Sequence, residues 1–165
     1  MPIGLVLDTC IVSEFAKRAD QQNSNLQGWV QEIDPADIAI PVAVIFEIQC
    51  GIQKIATTNP AKSEALADWL ETLLDSDFHI QPVTAAIARL HARMTMTPAL
   101  KNLWLQAPKP GPQAPGQDLL IAATAIVLGA TVVTANTRDF ELINAYYPLP
   151  NLLNPMVGPS LCRAS

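Results

Sequence analysis

Charge is scarce in this chain. Of 165 residues, 15% are Asp, Glu, Lys or Arg, against roughly a quarter in an average globular domain. The positive sign is the scarcer one: ten Lys and Arg face fifteen Asp and Glu, a net charge of −5. That excludes a polybasic nucleic-acid arm, and the 50% hydrophobic content excludes a disordered chain. Cysteine is scarce too. Cys10, Cys50 and Cys162 are odd in number and lack C-x-x-C spacing, so the expectation is neither a disulfide framework nor a zinc site, in a reducing, cytoplasmic setting. No basic region precedes the first apolar run, and Asp8 interrupts that run after residue 7, so no signal peptide is expected. Residues 119–137 run for about the length of a membrane span without a charge. Gly129 divides them into LLIAATAIVL, a helical half, and TVVT, a β-branched half. A buried helix followed by a buried strand is expected, with no membrane partner.

What remains is one domain's worth of chain with ample apolar material. A domain of this size hides about 70% of its unfolded surface, so its core needs no disulfide or structural metal. Punctuation and periodicity place strands over 3–7, 37–40, 78–81 and 131–134, with a last strand near 152–153. Helical patterns fall at 9–17, 26–33, 42–56, 60–75, 84–94, 117–128 and 138–145. Between 96 and 116 five prolines and two glycines make a loop, with room for a helical turn at 99–105. Further prolines, among them Pro148, Pro150, Pro155 and Pro159, make the tail irregular. Alternating strands and helices argue a single α/β domain over 1–165, a sandwich around a mostly parallel sheet. Ligands in such sheets sit beyond the carboxyl ends of the strands, where the strand order reverses.

Eleven of the acids, Glu14 among them, lie in polar stretches that read as solvated helix faces. Four do not. Asp8 ends the apolar strand IGLVL, Glu47 sits inside VAVIFEI, Asp118 opens LLIAATAIVL, and Asp139 follows TVVTA. Each has a modest alternative: Asp8 caps the next helix, Asp118 sits at its helix N-terminus, Asp139 caps a turn, Glu47 pairs with Lys54 two turns on. Together they point elsewhere, because a carboxylate in an apolar setting is costly unless paired or bound to a cation. No Lys or Arg adjoins Asp8, Glu47 or Asp118 in sequence. Four acids at one sheet edge cannot all stay ionised without positive charge among them. That leaves a metal, and oxygen-only donors suit Mg²⁺ or Mn²⁺. Such an ion binds phosphate oxygens and activates water.

The segments that carry these acids resemble the PIN domain, and within it the VapC-type toxin branch of metal-dependent ribonucleases. They are Asp8-Thr9 after the first strand, FEIQCGI around Glu47, DLLIAATA from Asp118, and TANTRDF around Asp139. The similarity covers nearly the whole chain in the right order. It implies a three-layer α/β/α fold with a mostly parallel sheet, an Mg²⁺/Mn²⁺-dependent endoribonuclease, and a cognate antitoxin that occludes the site, often within a toxin homodimer. It implies that Asp8, Glu47, Asp118 and Asp139 form the acidic cluster, with Thr9, Thr134 and Asn136 supporting it. This sequence departs from the pattern at Gln49, often basic in relatives, and at Ala135, often Arg. Its proline-rich stretch is also longer than is typical, and suits a lid, a dimer contact or an antitoxin contact.

On this reading Asp8, Asp118 and Asp139 ligate the metal and Glu47 ligates or orients the attacking water. RNA phosphates meet Lys17, Arg18, Arg89, Arg93 or Arg138. Two other readings stay open. One is a phosphatase with Asp8 as nucleophile, although residue 10 is Cys where a second acid is wanted and no Lys follows Lys109. The other is an inactive PIN-like module that only binds a partner. His79 and His91 have no triad partner in evidence, so neither Cys10 nor Ser13 has a base to make it a nucleophile. Trp29, Trp69 and Trp104 fall on helical patterns and read as core.

Overall fold

A computed structural model of the chain describes residues 2–158; Pro159 and Cys162 lie outside the described residues. Five short strands, β1 (Leu5–Leu7), β2 (Ile38–Pro41), β3 (His79–Gln81), β4 (Thr131–Val133) and β5 (Asn151–Leu153), form one sheet in the order β3-β2-β1-β4-β5. Every neighbouring pair is parallel, with Val6 beside Ala39 on one side and beside Val132 on the other. Strands covered on both faces need apolar residues at successive positions. Val6, Leu7, Ile38, Ala39, Ile40, Val132 and Val133 are accordingly all buried. With its helices the sheet makes a three-layer α/β/α sandwich.

Among the described residues eight α-helices connect or follow the strands: α1 (Thr9–Glu14), α2 (Ser24–Gln31), α3 (Val42–Ile55), α4 (Pro60–Leu74), α5 (Ala85–Thr95), α6 (Lys101–Trp104), α7 (Asp118–Leu128) and α8 (Thr137–Tyr146). Local chemistry starts them. The side chains of Asp8, Asn23, Asn59 and Thr84 each accept a backbone N–H in the first turn of α1, α2, α4 and α5. Helix α1 stops three residues short of the expected end, because Phe15 and Ala16 turn back onto Val12 and Ser13. Buried all along one side, α7 packs on β1 and β4 and carries α5 on its other flank. Gly129 ends α7 in the left-handed conformation, φ 66°, so the uncharged run divides into helix and strand as its composition implies. Among the described residues no helix is long and apolar enough to cross a membrane.

Two features position the site. The strand order runs from β1 outward to β2 and β3 on one side, and to β4 and β5 on the other. The reversal therefore lies between β1 and β4, and residues 8–10 and 134–136 leave the sheet side by side. The second feature is the closure of the proline-rich segment. After the 3-10 turn Pro98–Leu100 and α6, residues 105–115 carry no regular element. The Gly116 N–H then returns to the Trp104 carbonyl at 3.1 Å, and a Cβ at 116 would overlap the Leu103 carbonyl oxygen. Only glycine fits there, two residues before Asp118.

Gly116→Ala is expected to cost about 1–3 kcal/mol, the range for forcing atoms into a filled space. Gly129→Ala has open space and should cost about 1 kcal/mol, from its positive φ alone. Urea midpoints at unchanged m-value check both.

Candidate active site

The four out-of-place acids meet at the reversal point. Asp8, 4% exposed, leaves β1 through a backbone bond from its N–H to Val133 O at 2.9 Å. Its Oδ1 accepts the Thr9 N–H at 2.7 Å, so the capping role expected of it is real. Its Oδ2 accepts the Thr134 hydroxyl at 2.6 Å and the Cys10 thiol at 3.2 Å. Thr134 Oγ1 in turn accepts the Asn136 N–H at 2.9 Å. The Asn136 amide donates to Asp139 Oδ2 at 2.9 Å and reaches Asp118 Oδ2 at 3.5 Å. From the other side, Thr9 Oγ1 donates to Glu47 Oε1 at 2.6 Å. One chain of hydroxyl and amide donors thus links Glu47, Asp8, Asp139 and Asp118.

The electrostatics follow from burial and crowding. Asp118 is pushed up to about 7, first by burial and then by the charges of Asp8, Glu47 and Asp139. Burial also raises Glu47, with Asp8 adding to the rise and the Thr9 hydroxyl opposing it. The ion pairs among the described residues lie elsewhere: Lys17 with Glu14 at 2.7 Å, and Arg18 with Asp20. Glu47 and Lys54 form none. No three Asp, Glu, His or Cys side chains among the described residues stand close enough to enclose an ion as they are set. The donor set nevertheless fits a hard divalent cation: four carboxylates sharing one field, all oxygen donors, with no side-chain cation among the described residues paired to them.

All seven of the expected acids and supporting residues are brought together here. The five expected cations divide. Lys17 and Arg18 line a cleft of about 670 Å³ that also holds Thr9 and Glu47. Arg138 is exposed beside Asp139 on α8. Arg89 and Arg93 are exposed on α5 and form no ion pair with the cluster. Glu14 corrects the sequence reading. It is not a solvated face but buried, held by Lys17 and by the Asn23 N–H at 2.9 Å. The Lys17 bond holds its carboxyl below the usual range.

Sequence reasoning missed two residues. Lys62, on α4, lines the cleft with Lys17 and Arg18; no local pattern signals it, because α4 is far from the acids in sequence. Cys10 sits inside the cluster, also accepting the Ala135 N–H at 3.3 Å and touching Thr134 Oγ1 at 3.5 Å. Its place two residues after Asp8, in the first turn that Asp8 caps, was the available signal.

A family model described as PIN domain matches residues 5–145 of the chain. The chain is similar to the plasmid stability protein StbB of Pseudomonas syringae pv. tomato, 26% identical over 151 residues, covering 92% of this chain and 97% of that one. It is similar in structure to VapBC2 from Rickettsia felis, solved bound to a DNA fragment from their promoter, at TM-score 0.60 and 25% identity; 91% of this chain and 97% of that one are covered. It is similar also to a toxin–antitoxin complex from Klebsiella pneumoniae, at TM-score 0.53 and 20% identity, over 92% of this chain and 98% of that one.

Without divalent cations, folded Asp118 keeps its proton to about pH 7 and unfolded Asp118 loses it near 3.8. The native state binds the extra proton between those values, so this residue makes stability fall as pH rises through the window. Glu14 and His91, both lowered, slope the other way. Comparison with Asp118→Asn isolates the effect: urea midpoints of the variant should gain on wild type from about pH 4 to about pH 7. Burial and Asp8 push the Cys10 thiol up to about 11 from 9.0, roughly a hundredfold less thiolate. At pH 8 iodoacetamide should label Cys10 far more slowly than Cys50.

Proposed function

The chain belongs to the PIN domain family, and on that premise we propose that it is a divalent-metal-dependent endoribonuclease, the toxin of a toxin–antitoxin pair. The observation that carries the reading is the convergence of Asp8, Glu47, Asp118 and Asp139 at the switch point of the sheet, with no Lys or Arg among the described residues paired to any of them. Asp8, Asp118 and Asp139 would hold Mg²⁺ or Mn²⁺. When bound, such an ion polarises the scissile phosphate and makes water a nucleophile near neutral pH.

The chain's own residues do the rest. Thr9 fixes the Glu47 carboxylate, which orients the attacking water and takes its proton. Thr134 and Cys10 hold Asp8 Oδ2, and Asn136 keeps Asp139 and Asp118 at the same edge. Lys17, Arg18 and Lys62 give the cleft beside Glu47 a positive rim, where phosphates of the RNA strand lie. Arg138 offers a further phosphate contact next to Asp139. The toxin assignment is supported by the likeness to the Klebsiella pneumoniae toxin–antitoxin complex and by the VapC-type motifs. A cognate antitoxin would occlude the cleft, and the toxin, paired as a homodimer, would act in the cytoplasm.

The phosphatase reading is weaker. Residue 10, where a second acid is wanted, is a cysteine whose thiol donates to Asp8 Oδ2, and no lysine among the described residues pairs with Asp8.

Asp8→Asn and Asp118→Asn should each lower cleavage of single-stranded RNA in Mn²⁺ by at least about a hundredfold, the scale of losing one transition-state contact. Thr9→Val should cost roughly tenfold, as for a residue that orients a ligand. A gel-based cleavage assay checks both. Hydrolysis of p-nitrophenyl phosphate without RNA cleavage would contradict the proposal and favour the phosphatase.

A further inference from the structure

Helix α3 turns Val44, Ile48 and Ile52 into the core, so an aromatic on another of its faces has no packing reason to be there. Phe46 is such a residue, 43% exposed. Facing it across a cavity of about 360 Å³ is the proline-rich segment, with Pro112 and Pro115. That volume is within the range of small-ligand sites, which begins at about 300 Å³. Gln49 and Gln53 also line the cavity, their amides making no hydrogen bond among the described residues, and Lys54 stands at its rim with no ion pair. No acid lines it. In a chain of net charge −5 this is a patch where a negatively charged ligand meets no repulsion at contact. Both walls lie close to the acidic cluster along the chain: Phe46 precedes Glu47 on α3, and Pro115 is three residues before Asp118.

We propose that this slot is a nucleobase subsite for the RNA strand cut at the acidic cluster, an inference that rests on the ribonuclease reading. One unstacked base lies on the Phe46 ring against Pro112 and Pro115. The Gln49 and Gln53 amides meet its hydrogen-bonding edge, and Lys54 meets an adjacent phosphate. Single-stranded RNA is recognised through splayed bases stacked on aromatic side chains and read along their edges. A flat apolar wall, free amides and one unpaired cation supply those three contacts. The slot therefore selects which nucleotide stands next to the scissile bond.

The test uses the Asp8→Asn chain, so that binding is read without turnover. The probe is a fluorescein-labelled single-stranded RNA that wild type cleaves, and the same RNA with one abasic nucleotide placed at each position in turn. One abasic position close to the cut site should weaken binding by about tenfold, the scale of one base–aromatic stack. Phe46→Ala in the same background should weaken the intact RNA by a similar factor and abolish the abasic penalty, while Phe46→Tyr restores both. Thermal melts of the Phe46 variants confirm that they fold. The proposal is overturned if no abasic position matters, or if Phe46→Ala leaves the abasic profile unchanged. It is overturned too if Phe46→Ala lowers the sedimentation mass, since a second copy then covers the slot. RNA cut by wild type with a flat abasic profile removes the subsite alone; RNA neither cut by wild type nor bound by the variant removes the ribonuclease reading with it.

Discussion

The structure depends on a repulsion. Four carboxylates, one just after β1 and the others on α3, α7 and α8, share a partly desolvated space at one edge of the sheet, and among the described residues no lysine or arginine is paired with any of them. A fold optimised for stability alone would not keep this arrangement, because like charges in low dielectric oppose one another. Its cost appears in the chain as it stands: Asp118 is driven up to about 7 by burial and by the other three acids. What holds the cluster is a set of neutral donors, Thr9, Cys10, Thr134 and Asn136, each aimed at a carboxylate oxygen. Hydroxyl, thiol and amide groups position anions without neutralising them. The charge is left for a ligand to balance.

The parallel sheet makes this possible. Its order reverses between β1 and β4, so segments more than a hundred residues apart leave the sheet together and Thr134 reaches Asp8. Gly116 closes the proline-rich excursion against α6, so Asp118 can start α7 in place despite the long segment before it. The same segment then supplies the second wall of the Phe46 slot. The net charge of −5 is thus unevenly spread. Four of the fifteen acids sit at the sheet edge, while Lys17, Arg18 and Lys62 rim one cleft and Lys54 another.

Much of this was legible in the residues, for a physical reason. Continuous apolar runs such as IGLVL and TVVT mark strands buried on both faces, and they mark equally well the acid that ends them. Asp8, Glu47, Asp118 and Asp139 stood out because each interrupts or abuts an apolar stretch, which costs energy wherever the chain folds. Helix ends were less legible: α1 stops early through backbone turns that no side-chain pattern announces. Contacts between distant segments were not legible at all. Glu14 reads as solvated because Lys17 and Arg18 follow it within about a turn, yet it is buried and held by Lys17 and the Asn23 N–H. Lys62 and the Phe46 slot depend on how α4 and residues 112–115 lie against α3, which periodicity within one segment does not encode.

The central claim, that these carboxylates are assembled to bind a divalent cation, is tested most directly by titrating the chain into Mn²⁺ and following the electron paramagnetic resonance signal of the free ion. Wild type should deplete that signal saturably, and at about 100 times the dissociation constant the bound ion should add about 2.7 kcal/mol to folding stability. Asp8→Asn and Asp139→Asn should lose both effects. Equal free Mn²⁺ over wild type and variants would contradict the account.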